Sequence, residues 1–255
     1  MGGAMAAAVI AAHGSESVLL VDRDEATTAA LSAKIGATPS CYAQIAAECR
    51  LVFIAVKPNL VRAVLEQLRE ALQSREDAVC VVSIAAGVTI AAMQEVLGES
   101  VPVIRMMQNT PVAVGEGMMV YALSKTATAD DATVLENALK CAGCISPLDE
   151  KLIDAATAVM GCGPAFAYMF VEALADGGVA CGLTRRDAQI YAAQMLLGAA
   201  KMVLETGENP GALKDAVCSP GGSTIAGVRA LEEGAFRGTV MDAVVASYRR
   251  TQELK

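Results

Sequence analysis

Leu51-Val52-Phe53-Ile54-Ala55-Val56-Lys57-Pro58 is one unbroken apolar run closed by a charge and a proline. A strand with one wet face alternates apolar and polar residues, whereas a strand apolar throughout is covered on both faces. Lys57-Pro58 stops the run, because proline has no N–H to give to a ladder, and helical spacing follows over 60–72. The same alternation recurs on either side. Strands are expected at 18–22, 78–84 and 101–106, and a helix at 26–35. Buried strands alternating with helices imply an α/β fold, a Rossmann-type doubly wound parallel sheet over residues 1–147. Beyond Leu148 the pattern changes to helical periods at 150–160, 165–181, 185–205, 225–232 and 239–254. Residues 148–255 therefore read as a second, all-helical domain, with the boundary near Ser146-Pro147.

Hydrophobic residues make up 54% of the 255, with a mean hydropathy of +0.44. The longest charge-free run, 155–171, is broken by Gly161, Gly163 and Pro164, so no transmembrane helix and no membrane partner is expected. The apolar surplus fits a buried interface between copies of the chain. A net charge of −8 without a Lys/Arg cluster argues against nucleic acid. The N-terminus lacks the basic segment of a signal peptide, and eight cysteines then read as reduced thiols in a cytoplasmic protein. Cys141 and Cys144 form a CxxC with no second pair at zinc-ribbon spacing, and His13 is the only histidine. No metal site is expected.

The chain begins Met1-Gly2-Gly3-Ala4-Met5-Ala6, the latter part of a GxGxxA/G dinucleotide fingerprint. Gly3 would let the backbone approach a pyrophosphate, and Ala6 would allow close helix–strand packing. Asp22 ends the next strand, where an acid can bind the ribose hydroxyls, and Arg23 beside it could meet a 2′-phosphate. The two signals conflict, so NADH and NADPH both stay open. The fingerprint's first glycine falls on Met1, and the strand that should precede it is missing. That strand is central in such a sheet, so its two neighbours should be left unpaired. The expectation is that about six to ten natural residues, a strand and its turn, precede this start. The alternative is a chain that has lost coenzyme binding.

Near the other end, Ser219-Pro220-Gly221-Gly222-Ser223-Thr224 precedes an apolar helical run at 225–231. Ser223 and Thr224 stand as N-cap candidates. A hydroxyl-rich turn with free N–H groups at a helix N-terminus is suited to a small carboxylate.

Taken together these segments resemble pyrroline-5-carboxylate reductases. The motifs are GGAMAAA at the start, AVKP at 55–58, AAGVTI at 85–90, RMMQNTPVAVGEGM at 105–118, GCGPAFAYMFVEALADGGVACGL at 161–183 and SPGGSTIAGVRALEEGAFR at 219–237. The resemblance implies hydride transfer from NADH or NADPH to the C=N carbon of a cyclic imino acid, giving L-proline. It implies a C-terminal dimerisation domain, a homodimer or a ring of dimers, and an active site formed between subunits. It places Gly2, Gly3, Ala4 and Met5 at the pyrophosphate turn, with Asp22 and Arg23 at the ribose. Ala55, Val56, Lys57 and Pro58 fall at the middle of the coenzyme, and Ala85, Ala86 and Gly87 on its nicotinamide side. Glu150, Ser219, Gly221, Gly222, Ser223 and Thr224 fall at the substrate. Thr224 is the candidate catalytic group, its hydroxyl bonding the ring nitrogen, and Glu150 either faces the imine cation or structures the loop. Two motifs depart from the family pattern: Gln108 stands in MPNTP where proline is usual, and Cys162 in SGSGP where serine is usual. A β-hydroxyacid dehydrogenase would need a Lys and an Asn where the helix after Gly163 offers Ala167 and Val171. A deazaflavin-dependent reductase would leave the SPGGST helix unexplained. The rival from another class is a non-catalytic, oligomeric relative.

Overall fold

The computed structural model describes residues 1–75 and 77–253. The expected helix end at Leu254 lies outside the described residues. Compact packing divides the chain into one unit of residues 1–162 with 247–255, and a second of 163–246.

In the first unit, helix α1 (Gly2–His13) is followed by β1 (Leu19–Leu20), α2 (Glu25–Ile35), β2 (Thr38–Pro39), α3 (Tyr42–Glu48) and β3 (Leu51–Ile54). Then come α4 (Pro58–Gln73), β4 (Cys80–Ser83), α5 (Ile90–Leu97), β5 (Val103–Gln108), β6 (Gly117–Leu123), α6 (Ala129–Ala138) and β7 (Gly143–Pro147). The apolar run at 51 is a strand, as its composition demands. Pro58 sits at the first helical position, where its missing N–H costs nothing. Helix α4 buries Val61, Leu65, Leu68 and Leu72, which fall on one face at helical spacing. Each such side chain contributes roughly 1.5–3 kcal/mol of burial.

The expected parallel sheet is present, and strands that the sequence pattern did not announce extend it with one antiparallel pairing. Strands β3, β4 and β5 are parallel, β6 runs antiparallel to β5, and β7 is parallel to β6. The reason is length. Only a single 3-10 turn, Thr110–Val114, and Gly115 at φ 76° stand between β5 and the return of the chain. A parallel crossover needs about a dozen residues or more. Strand β5 is buried along its whole length. Its Val103 and Met107 join the core on one face, and Ile104 and Met106 the core on the other.

Strands β1 and β2 form a separate two-stranded sheet, while β3 begins the five-stranded one. A cavity of about 420 Å³ is lined by β1 (Leu19, Leu20), β3 (Val52, Ile54) and helix α1 (Met5, Val9). It lies between the two sheets.

Residues 150–161, assigned above to the helical domain, pack with the first unit: Ile153 of helix α7 (Ile153–Ala156) and Ala158 are fully buried. Thr157–Gly161 form a π turn, closed by the Cys162 N–H donating to the Thr157 carbonyl at 3.0 Å. Pro164 explains it. Proline cannot donate, and its ring would crowd the carbonyl four residues back, that of Met160. That carbonyl is taken instead by the Asn109 side chain at 3.0 Å.

Further on lie α8 (Gly163–Ala180), α9 (Arg185–Thr206), the unanticipated α10 (Pro210–Ala216), α11 (Ser223–Glu233) and α12 (Phe236–Glu253). Because the π turn absorbs Gly161 and Pro164, the helical run Glu150–Ala180 continues for 31 residues and is long and apolar enough to cross a bilayer. This corrects the expectation that its Gly and Pro residues interrupt it. In the second unit Tyr168, Met169, Ile190, Tyr191, Leu197 and Leu204 are exposed.

Helix α6 starts with a capping box between Thr128 and Asp131, and Arg50 pairs with Asp131 at 2.8 Å. Burial tends to raise the Asp131 carboxyl. The Thr128 amide and hydroxyl and the Arg50 guanidinium outweigh it and hold the group below its ordinary 3.8. A depressed carboxyl stabilises the fold above its unfolded pKa and loses that contribution as pH falls through the folded value. Asp131→Asn is therefore expected to lower stability by about 1–3 kcal/mol at neutral pH. In denaturation series the gap from wild type should persist down to about pH 4 and close below it.

Candidate functional site

In open α/β sheets ligands bind beyond the carboxyl ends of the strands. The N-termini of α1, α4 and α5 differ in how their first amides are satisfied. At α5 the orphan amides are occupied: Thr89 accepts from the Ala92 N–H at 3.1 Å, and Glu150 Oε1 from the Ile90 N–H at 2.8 Å. At α1 and α4 the caps are Met1 and Lys57, with no side-chain cap bond. At α1 the amides of Gly2 and Gly3 meet no side-chain cap, whereas at α4 Pro58 has no N–H to offer.

The cavity between β1 and β3 brings together Gly2, Gly3, Met5, Asp22, Ala55 and Val56. Ala4 turns the other way and packs on the core beneath β4 and β5. Arg23, Lys57 and Pro58 are exposed and do not line the cavity. Ala85, Ala86 and Gly87 follow Ile84, which does line it, and Gly87 takes φ 76°. The glycines at the start serve packing. A Cβ on Gly2 would stand 2.8 Å from Ala55 Cβ, and one on Gly3 would stand 3.0 Å from Leu31 Cδ1. A dinucleotide nonetheless fits this end of the sheet. The α1 N-terminus is uncapped, no side chain projects from Gly2 or Gly3, and the exposed Asp22 carboxylate lies on the same cavity.

In the second unit, Ser219-Pro220-Gly221-Gly222 closes a turn, with the Gly222 N–H donating to the Ser219 carbonyl at 3.0 Å. Gly221 takes φ 69°, which a side chain would strain. A Cβ on Gly222 would collide with the Ser219 hydroxyl. The expected N-cap is corrected here. Gly222 is the N-cap, and Ser223 and Thr224 are the first two helical residues. The turn closes one residue earlier than the hydroxyls suggest, because Gly221 and Gly222 together complete it. Ser223 and Thr224 are exposed, beside first-turn amides that have no intrahelical partner.

Two side chains at the sheet's heart escaped the sequence reading. Arg105, in β5, is 2% exposed and pairs with Asp154 at 2.8 Å and Glu150 at 3.5 Å. The Gln252 amide donates to the other Asp154 oxygen at 2.8 Å. The signal was available: one arginine in the apolar run 103–107 and one aspartate in the apolar run 152–160. Burial pushes the Cys80 thiol up to about 12, the behaviour of a structural cysteine. Among the described residues no group of three or more His, Cys, Asp or Glu gathers to hold a metal.

A family model described as pyrroline-5-carboxylate reductase dimerisation matches residues 150–254. One described as NADP oxidoreductase, coenzyme F420-dependent, matches residues 1–87. The chain is 45% identical to a pyrroline-5-carboxylate reductase of Arabidopsis thaliana over 211 residues, 83% of this chain and 75% of the relative. It is 47% identical to pyrroline-5-carboxylate reductase 2 of Bos taurus over 80% of this chain and 64% of the relative. The crystal structure of a Plasmodium falciparum pyrroline carboxylate reductase with NADP bound superposes with a TM-score of 0.84 at 30% identity, covering 99% of this chain and 94% of that one.

The turn at 219–224 generates a prediction. Gly222→Val should weaken binding of a small carboxylate ligand by at least about tenfold, because the new Cβ displaces Ser219 and opens the turn. Titration calorimetry checks it, and wild-type affinity would contradict the reading.

Proposed function

Because the chain belongs to the pyrroline-5-carboxylate reductase family, we propose that it reduces L-1-pyrroline-5-carboxylate to L-proline with NADPH or NADH as the hydride donor. The observation that carries this reading is the 45% identity with the Arabidopsis reductase across 83% of this chain. The reduced coenzyme supplies the hydride when bound. The chain's own residues bind, orient and exclude water, which suffices for an imine that is already electrophilic once protonated.

Gly2, Gly3, Ala4 and Met5, at the open end of α1, would hold the pyrophosphate. Asp22 and Arg23 would meet the adenosine ribose, Ala55 to Pro58 the middle of the coenzyme, and Ala85, Ala86 and Gly87 its nicotinamide side. Ser219, Gly221, Gly222 and Ser223 would hold the substrate carboxylate on first-turn amides. Thr224, exposed one residue further on, would set its hydroxyl against the ring nitrogen as the charge there changes. Glu150 would act on the nicotinamide side of the coenzyme, through the Ile90 N–H at the start of α5 that its carboxylate accepts.

Residues 150–254 match a dimerisation domain, so the chain assembles with itself. A homodimer or a ring of dimers, rather than lipid, would cover Tyr168, Met169 and Leu204. All eight cysteines are free thiols, which fits a cytoplasmic enzyme.

Two measurements test this. Thr224→Ala should lower kcat/KM for pyrroline-5-carboxylate by about ten- to hundredfold, the loss of one hydrogen bond in a closed site. An unchanged value would remove Thr224 from the mechanism. Leu204→Glu should shift the assembly toward monomer in size-exclusion chromatography with light scattering, and an unshifted mass would place the interface elsewhere.

A further inference from the structure

The turn 85–89 leaves the carboxyl end of β4 and enters α5, and one glycine and two hydrogen bonds define it. Gly87 takes a left-handed φ of 76°, a bend that a side chain would strain. Thr89 caps the helix from within the turn. Glu150 reaches it from far along the chain, its Oε1 accepting from the Ile90 N–H at 2.8 Å. The same oxygen lies 3.5 Å from Arg105 Nη1. Arg105 cannot wander, since it is buried in β5 and its other terminal nitrogen is bonded to Asp154. Asp154 in turn is bonded by Gln252 of α12. A chain of polar contacts thus runs from the C-terminal helix through a buried guanidinium to the first amide of α5, all within the first unit.

We propose that Glu150 is a positioning residue: backed by Arg105, it fixes the turn 85–89 through the Ile90 amide, and so sets the nicotinamide side of the coenzyme site rather than touching the imino acid. The inference rests on the reductase reading given above. It also makes Glu150 differ in kind from Thr224. A carboxylate facing an imine cation is needed for its charge, whereas one holding a backbone N–H is needed for an acceptor oxygen at the right place. An amide supplies that oxygen.

The experiment compares Glu150→Gln with Glu150→Ala in the full chain, because removing Arg105 itself would take the guanidinium away from the buried Asp154 carboxylate and endanger the fold. Hydrogen exchange of the Ile90 amide and the Kd for NADPH, by fluorescence titration, are read alongside the KM for pyrroline-5-carboxylate. The expected result for Glu150→Ala is lost protection at Ile90 and an NADPH Kd raised about tenfold, the equivalent of one modest hydrogen bond. In Glu150→Gln the Ile90 protection should be retained and the Kd should stay within about twofold. Two results would overturn the proposal. One is a Glu150→Gln variant as damaged as Glu150→Ala in imino-acid KM with NADPH binding unchanged in both, the signature of a carboxylate on the substrate. The other is an Ala variant with wild-type exchange at Ile90 and a wild-type Kd. Failure of the wild-type chain to turn over pyrroline-5-carboxylate would count against the reductase reading alone, since Ile90 exchange and NADPH affinity still decide the role of Glu150.

Discussion

A guanidinium buried in a central strand constrains this molecule more than any other single group. Arg105 stands in β5, which is buried on both faces, and an unpaired charge there would cost several kcal/mol. The chain answers with two acids from one short segment. Asp154 takes one terminal nitrogen, and Glu150 lies against the other while also holding the start of α5. That segment is therefore drawn onto the sheet, even though the family match counts it with the dimerisation domain. The Met160 carbonyl, released from its helix by Pro164, is satisfied by Asn109 in the loop after the same strand. Polar satisfaction at β5 thus sets where residues 150–160 lie on the sheet.

The fold was legible wherever pattern and burial coincide. The apolar run at 51 and the amphipathic spacing of α4 gave a strand and a helix within a few residues of their observed bounds. Strand β6 was not read, because Gly117–Leu123 follows a loop too short for the crossover that a parallel sheet requires. The boundary near Ser146-Pro147 followed the loss of strand signal, while compact packing follows Arg105 and its partners across residues far apart in sequence. No local spacing announces such a pairing. Among the candidate site residues, SPGGST was legible as a turn, since Gly221 takes a left-handed φ and Gly222 sits against the Ser219 hydroxyl. The role of Glu150 depended on a contact with Ile90 across 60 positions and could not be read from its neighbours.

The split sheet bears on coenzyme binding. Strands β1 and β3 border one cavity without pairing to each other, and Gly2, Gly3, Asp22 and Ala55 lie on it. Backbone groups at such edges are satisfied by water or by a further strand. The groups proposed to hold a pyrophosphate and a ribose are thus borne by elements tied mainly through helix packing, notably Gly2 on Ala55 and Gly3 on Leu31.

The most direct test of the account is oxidation of NADPH by the purified chain, followed at the nicotinamide absorbance with and without pyrroline-5-carboxylate. The same assay is run on a chain carrying an added apolar strand and glycine ahead of Met1. The account predicts imino-acid-dependent oxidation with proline as product, in the given chain or in the strand-bearing one. A folded, self-associated chain that binds NADPH in either form, yet leaves it reduced in the presence of pyrroline-5-carboxylate, would contradict it.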